Sequence, residues 1–250
     1  MRSGKGAPIL LIMGLGGCIE SWEPLRRALT GHELLLVDHP GMGQSSVPSA
    51  PIPMAGLASI YADLLTALGH DQVDVLGYSF GGTVAQQMAH QFPGRVRRLV
   101  LAATACGWGG VPLTLSAMAA SASPMRYYSR AYRESVAPYL YAGRTGREPS
   151  LLDGHVAHRP SLQGLMWQLA AYSAWTSLPW LHQLTQPTLV MGGEEDPMAP
   201  AANSVLLARR IPEAQLYLVP QGGHLFLFDE TPTVVPIIKG FLRETSARTA

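Results

Sequence analysis

The 250 residues carry 18 Lys and Arg against 17 Asp and Glu, and 47% of them are apolar against 14% charged. That balance provides for a sizeable core and excludes a disordered chain. A net charge of +1 gives no basic field for nucleic acid, which is not an expected partner.

Met1 to Pro8 holds two positive charges, and the apolar run behind it, Ile9 to Met13, is too short for a signal core or a membrane span. No transmembrane segment is expected. Cys18 and Cys106 are too few for a disulfide framework and read as thiols of a cytoplasmic protein. From there short apolar runs alternate with helical patterns, which predicts a mostly parallel sheet with helices on both faces. The predicted strands are Ile9 to Met13, Leu34 to Asp38, Gln72 to Gly77, Arg98 to Ala103, Thr188 to Gly192 and Gln215 to Val219. Amphipathic stretches over Met54 to Leu68, Thr83 to Gln91 and Thr233 to Arg243 read as helices.

The rhythm breaks between Cys106 and Thr185, where no strand run occurs and Pro112, Pro124, Pro138, Pro160 and Pro179 interrupt helical patterns. Residues 106–185 are therefore expected to form a helical cap inserted into a core made of 1–105 and 186–250. The cap holds ten of the fourteen Tyr and Trp residues, and six Arg against Glu134, Glu148 and Asp153. Aromatic residues at this density pack a small core or line an apolar acyl pocket. Trp108, Trp167 and Trp175 are the cap's candidates for substrate contact.

The sharpest motif is Gly77-Tyr78-Ser79-Phe80-Gly81-Gly82, set between a predicted strand and a predicted helix. A serine on so tight a turn needs glycine neighbours, and the turn lifts its hydroxyl above the sheet edge as a nucleophile. It needs a base to take its proton. Of eight histidines, His224 follows the last predicted strand and lies at the same carboxyl edge as Ser79. His32, His39, His70, His90, His155, His158 and His182 read as surface or packed residues. Asp196, in the loop Gly192 to Pro197, is expected to orient His224, while Glu194 and Glu195 read as solvated or structural, with either as the alternative acid.

Acyl transfer also requires amide donors for the oxyanion. Phe80 supplies one, and Leu15, in Met13-Gly14-Leu15-Gly16-Gly17, the other. The loop lacks the Lys-Ser/Thr ending of a phosphate loop and the spacing of a dinucleotide site, so no cofactor and no metal is expected. Met13 and Leu225, beside these groups, are further candidates for substrate contact. The turn Asp38 to Ser45 reads as structural, shaping the site.

The order of strands, elbow, cap, acid loop and histidine loop resembles the α/β-hydrolase superfamily. The stretches Ala85 to His90, Leu99 to Ala105, Trp175 to Ser177, Trp180 to His182 and Arg210 to Leu227 are similar to intracellular poly(3-hydroxyalkanoate) depolymerases of bacteria. The resemblance implies an α/β-hydrolase fold and hydrolysis of medium-chain 3-hydroxyalkanoate esters, in polymer or oligomer. An apolar ester is then the expected partner, with storage granules and a second copy of the chain as further candidates. Two features depart from the superfamily. Met13-Gly14 stands where many members have His-Gly, removing a side-chain brace of the oxyanion loop. The leading antiparallel hairpin has no counterpart, which leaves a sheet edge exposed. A general carboxylesterase or lipase, or a carbon–carbon bond hydrolase, would use the same triad, and a binding protein could keep the fold without catalysis.

Overall fold

The computed structural model describes residues 1–154 and 160–244. His155 and His158 lie outside the described residues. Seven strands form one sheet: β1 (Arg2–Ser3), β2 (Ala7–Ile12), β3 (His32–Leu36), β4 (Val73–Tyr78), β5 (Val96–Ala102), β6 (Thr188–Gly193) and β7 (Gln215–Val219), in the order β1-β3-β2-β4-β5-β6-β7. From β3 to β7 every pairing is parallel.

All six predicted strands are present, and their continuous apolar runs are divided by the two-residue period of the strand. Ile9, Leu11, Leu34, Leu36, Leu76, Val100 and Leu189 point into one core. Leu10, Leu35, Val75, Leu99, Leu101 and Val190 point into the other. The first core is closed by Trp22, by Leu25 of α1 (Glu23–Ala28) and by Val234 and Ile238 from near the chain's end. The second is closed by Leu57, Tyr61 and Leu65 of α2 (Met54–Ala67) and by Val84 and Met88 of α3 (Phe80–Gln91). Those residues recur every three or four positions, the spacing that gives a helix one buried face.

One expectation is corrected. The edge of β3 is not bare, because Arg2 and Ser3 pair antiparallel with Leu35 and Leu34. β1 is no hairpin partner of β2, since β3 lies between them. Two residues are too short to show any periodicity, and main-chain bonds set their place: the Leu36 amide donates to Met1 O at 2.9 Å.

Between β5 and β6 the described residues form helices α4 (Leu115–Ser121), α5 (Met125–Tyr128), α6 (Arg130–Leu140), α7 (Gly143–Arg147) and α8 (Leu162–Ser173), with short 3-10 turns. The remaining helices are α9 (Ala201–Arg210), α10 (Phe226–Asp229) and α11 (Thr231–Arg243). No helix among the described residues is long and apolar enough to cross a membrane. Cys18 and Cys106 are both buried, and neither forms a disulfide among the described residues.

Candidate active site

Ser79 sits between the end of β4 and the start of α3, with φ 52° and ψ −120°. Such a positive φ strains any residue with a Cβ and persists only where the surroundings enforce it. They do: the Ser79 amide donates to Ala102 O at 2.9 Å, and the Gly82 amide donates to Ser79 O at 2.8 Å. The tightness of the turn explains its glycines, since a Cβ at Gly81 would collide with the Ile12 carbonyl.

The structure brings Ser79, His224 and Asp196 together. His224 Nε2 lies 3.1 Å from Ser79 Oγ, and His224 Nδ1 lies 2.8 Å from Asp196 Oδ2. A carboxylate only accepts, so Nδ1 carries the proton and Nε2 is left to accept from the serine hydroxyl. The second carboxylate oxygen accepts from the amides of Met198 (2.9 Å) and Ala199 (2.8 Å). Glu194 and Glu195 are exposed instead, and Glu195 pairs with Arg147 at 3.2 Å. Asp196 and His224 are buried. His224 is also held through its backbone, by Tyr141 O, which accepts from its amide at 2.7 Å, and by the Tyr78 hydroxyl, which donates to its carbonyl at 3.0 Å.

The oxyanion loop follows β2 and faces the same hydroxyl. Within it the Gly17 amide donates to Gly14 O at 3.2 Å, and the Gly16 amide to Gln168 Oε1 of α8 at 3.0 Å. Where Met13-Gly14 removes the expected brace, His39 supplies another. Its Nε2 lies 2.7 Å from Met13 O, and the Tyr61 hydroxyl lies 2.9 Å from its Nδ1. A carbonyl only accepts, so Nε2 bears the proton and Tyr61 donates to Nδ1. Burial holds His39 neutral, with its pKa lowered to about 4. The turn Asp38 to Ser45, which carries His39, also holds the chain just beyond the oxyanion loop, where the Ile19 amide donates to Asp38 Oδ1 at 2.8 Å.

Two cavities, of about 110 and 220 Å³, meet at this point and share Leu15, Ser79, Arg126, Met198 and His224 as lining. Met13 and Leu225 line the smaller cavity, and Phe80 the larger. The three tryptophans line neither. Trp108 is 73% exposed, with its indole N–H donating to Ser173 O at 2.7 Å. The Trp167 indole donates to Pro48 O at 3.0 Å, and that of the buried Trp175 to Gln87 Oε1 at 2.8 Å. The Trp167 and Trp175 rings tie the helical segment to the body, and Trp108 ties the segment's first residues to the end of α8, because an anchored indole N–H requires an acceptor.

Sequence reasoning missed Arg126, Tyr127 and Met198 as lining residues, together with the bond from Gln168. Arg126 did carry a signal. Residues 75–133 contain no Asp or Glu, so it has no acidic neighbour along the chain.

A model of the alpha/beta hydrolase fold family matches residues 7–140 and 159–231, and the chain belongs to that family. It is an enzyme of the hydrolase class. Among curated relatives it is similar to the poly(3-hydroxyalkanoate) depolymerase of Ectopseudomonas oleovorans, 42% identical over 99% of this chain and 89% of that protein. It is also 30% identical to a putative carbamate hydrolase, RutD, of Azorhizobium caulinodans, over 89% of this chain and 86% of that one. A solved structure of a hydrolase from Pseudomonas aeruginosa PA01 superposes with a TM-score of 0.83 at 26% identity, covering 98% of this chain and 93% of that one.

Proposed function

We propose that this protein hydrolyses carboxylic esters through an acyl-enzyme on Ser79, and that its substrates are medium-chain 3-hydroxyalkanoate polyesters or their oligomers. His224 takes the serine proton as Oγ attacks the carbonyl carbon, and returns it to the leaving alcohol oxygen. Water, activated by the same imidazole, then releases the acid. Asp196 fixes the tautomer that lets Nε2 accept and stabilises the imidazolium as it forms. The amides of Leu15 and Phe80 receive the negative charge of the tetrahedral oxygen.

The observation that carries the substrate is the pair of cavities meeting at Ser79, both lined mainly by apolar side chains. An ester joining two hydroxy-acid units has bulk on both sides of the scissile bond, and each side then finds a cavity. The 42% identity to a poly(3-hydroxyalkanoate) depolymerase supports the same reading. Residues 106–185 act in it as the cap over a core of 1–105 and 186–250. Exposed Leu115, Met118, Leu162 and Met166 on α4 and α8 support contact with an apolar polyester surface, and so with storage granules in the cytoplasm.

The test is hydrolysis of p-nitrophenyl esters of rising acyl length beside a 3-hydroxyacyl oligomer. Each buried methylene contributes about 0.8 kcal/mol, roughly fourfold in kcat/KM, so activity should climb to acyl chains of about six to ten carbons. The oligomer should be cut at least as well as the simple ester of equal length. A peak at acetate or butyrate with no cleavage of the oligomer would remove the polyester and leave a general carboxylesterase.

A further inference from the structure

Arg126 is the one cation among the shared lining residues of the two cavities, and the chemistry described so far does not use it. It is only 7% exposed. Its Nη2 donates to the Tyr127 hydroxyl at 3.0 Å, and the guanidinium lies 4.8 Å from the centre of the Tyr127 ring. Its Nη1 is buried and has no hydrogen-bond partner. No carboxylate among the described residues pairs with it. A guanidinium cannot shed its proton, so burying it with a free donor costs several kcal/mol unless an anion completes the site. The tyrosines around it offer dipoles and a ring face but no full negative charge.

We propose that Arg126 binds a carboxylate of the ligand, and that the enzyme therefore prefers ester oligomers ending in a free acid to neutral esters of the same size. This rests on the ester-hydrolase reading and deepens it. Arg126 lines both cavities, each of which also holds Ser79, so an acid group a few bonds from the scissile carbonyl can approach its guanidinium. An acid-terminated dimer of a 3-hydroxy acid has that form, with its carboxylate carbon four bonds beyond the carbonyl carbon that is attacked. Addition of one water converts it to two 3-hydroxy acids: the leaving alcohol half keeps the carboxylate that Arg126 would hold, and the acyl half gains a new carboxyl group from the ester carbonyl.

The experiment compares kcat/KM for a linear 3-hydroxydecanoic acid dimer bearing a free carboxylate with that for its terminal primary amide. The two differ little in size, so their ratio cancels any general loss of activity. The wild type should favour the acid by roughly ten- to a hundredfold, the usual worth of a charge-assisted hydrogen bond to a buried group. Arg126→Gln should bring the ratio near one, and Arg126→Lys should leave it between. A ratio near one in the wild type overturns the proposal. So does a ratio that Arg126→Gln leaves unchanged while both rates fall, because the residue would then act only by steadying Tyr127, whose hydroxyl donates to Leu15 O at 3.2 Å.

If neither dimer is cut, the polyester reading fails, and calorimetry with octanoate and octanamide tests Arg126 without turnover. Octanoate should bind the wild type at least tenfold more tightly than octanamide, and Arg126→Gln should abolish the difference. Equal binding of the two by the wild type overturns the proposal. If Arg126→Gln does not fold, the wild-type preference and its reduction in Arg126→Lys decide it.

Discussion

The sheet and the helical segment between β5 and β6 are held together by different means. Each face of the sheet is covered by a large cluster of buried apolar side chains, reaching from Ile9 to Leu242 on one side. The helical segment has a small cluster of its own, Ala117, Ala120, Val136 and Leu140. Two of those four are alanines, which bury too little surface to fold such a segment alone. It is docked on the body by side chains that join the two large clusters, Ala137 and Leu152 in one and Ala171, Trp175, Leu181 and Leu184 in the other, and by directional bonds. The Ser161 hydroxyl donates to Gly41 O at 3.0 Å, the Gln168 carboxamide accepts from the Gly16 amide, and the indoles of Trp167 and Trp175 reach Pro48 and Gln87. Among the described residues ten of the fourteen exposed large hydrophobic side chains lie in this segment. Apolar area in the body is therefore spent on stability, while in the helical segment much of it is left available for a ligand.

The division predicts that chemistry and stability separate most widely at the elbow. Ser79→Ala should lower kcat by about 10⁶-fold, and Asp196→Asn by on the order of 10⁴-fold, with the thermal midpoint of each close to that of wild type. Single-turnover kinetics beside calorimetric melts would show this, and a folded Ser79→Ala protein with wild-type turnover would end the assignment.

A second contrast sets the two regions side by side. Leu11→Ala, at a fully buried position of β2, should cost about 2–5 kcal/mol by denaturant unfolding, from lost transfer energy and the cavity left behind. Met166→Ser, on the exposed face of α8, should stay within about 0.5 kcal/mol. Equal losses would mean that the helical segment has a core of its own.

The third concerns pH, through the brace at the oxyanion loop. His39 has its folded pKa lowered to about 4 from 6.5. As pH falls the unfolded chain takes up the proton first, so the stability due to keeping His39 neutral is complete above about pH 6.5. It is lost progressively toward pH 4, in total on the order of 3 kcal/mol. His39→Gln can still donate to Met13 O and has nothing to titrate. Urea unfolding between pH 4 and 7 should therefore be less steep in pH for this variant, and an unchanged slope would assign the acid sensitivity to other groups.

What could be read from the chain follows the same division. The strands and the elbow were legible because burial imposes a short period and a strained turn demands glycine, and both leave marks in a few adjacent residues. The order of the chain located the acid in the loop Gly192 to Pro197 without distinguishing its three carboxylates, and the structure adds that Glu194 and Glu195 face solvent while Asp196 is buried. β1 was not legible, since two residues carry no period. Tyr127 and Gln168 were not either, because their roles come from meeting the oxyanion loop across more than a hundred positions, with no local signature, and Arg126 was marked only by the acid-free run of chain around it. The tryptophans misled for a related reason: a dense aromatic composition reports that rings are needed, but not whether they hold a segment down or face a cavity.

The attachment of His224 has a bearing on which positions can vary. The contact between α6 and the histidine loop is a bond between two main chains, from the His224 amide to Tyr141 O, so the identity of the side chain at 141 does not make or break it. Around it glycine meets glycine. A Cβ at Gly223 would run into the Tyr141 carbonyl, and one at Gly143 into the Gly223 backbone. Heritable change at this seam is therefore tolerated or rejected by volume rather than by chemistry. Substitution at position 141 can keep this bond while changing the ring that lines the smaller cavity, whereas a single methyl group at 143 or 223 would wedge the imidazole away from the serine without touching either.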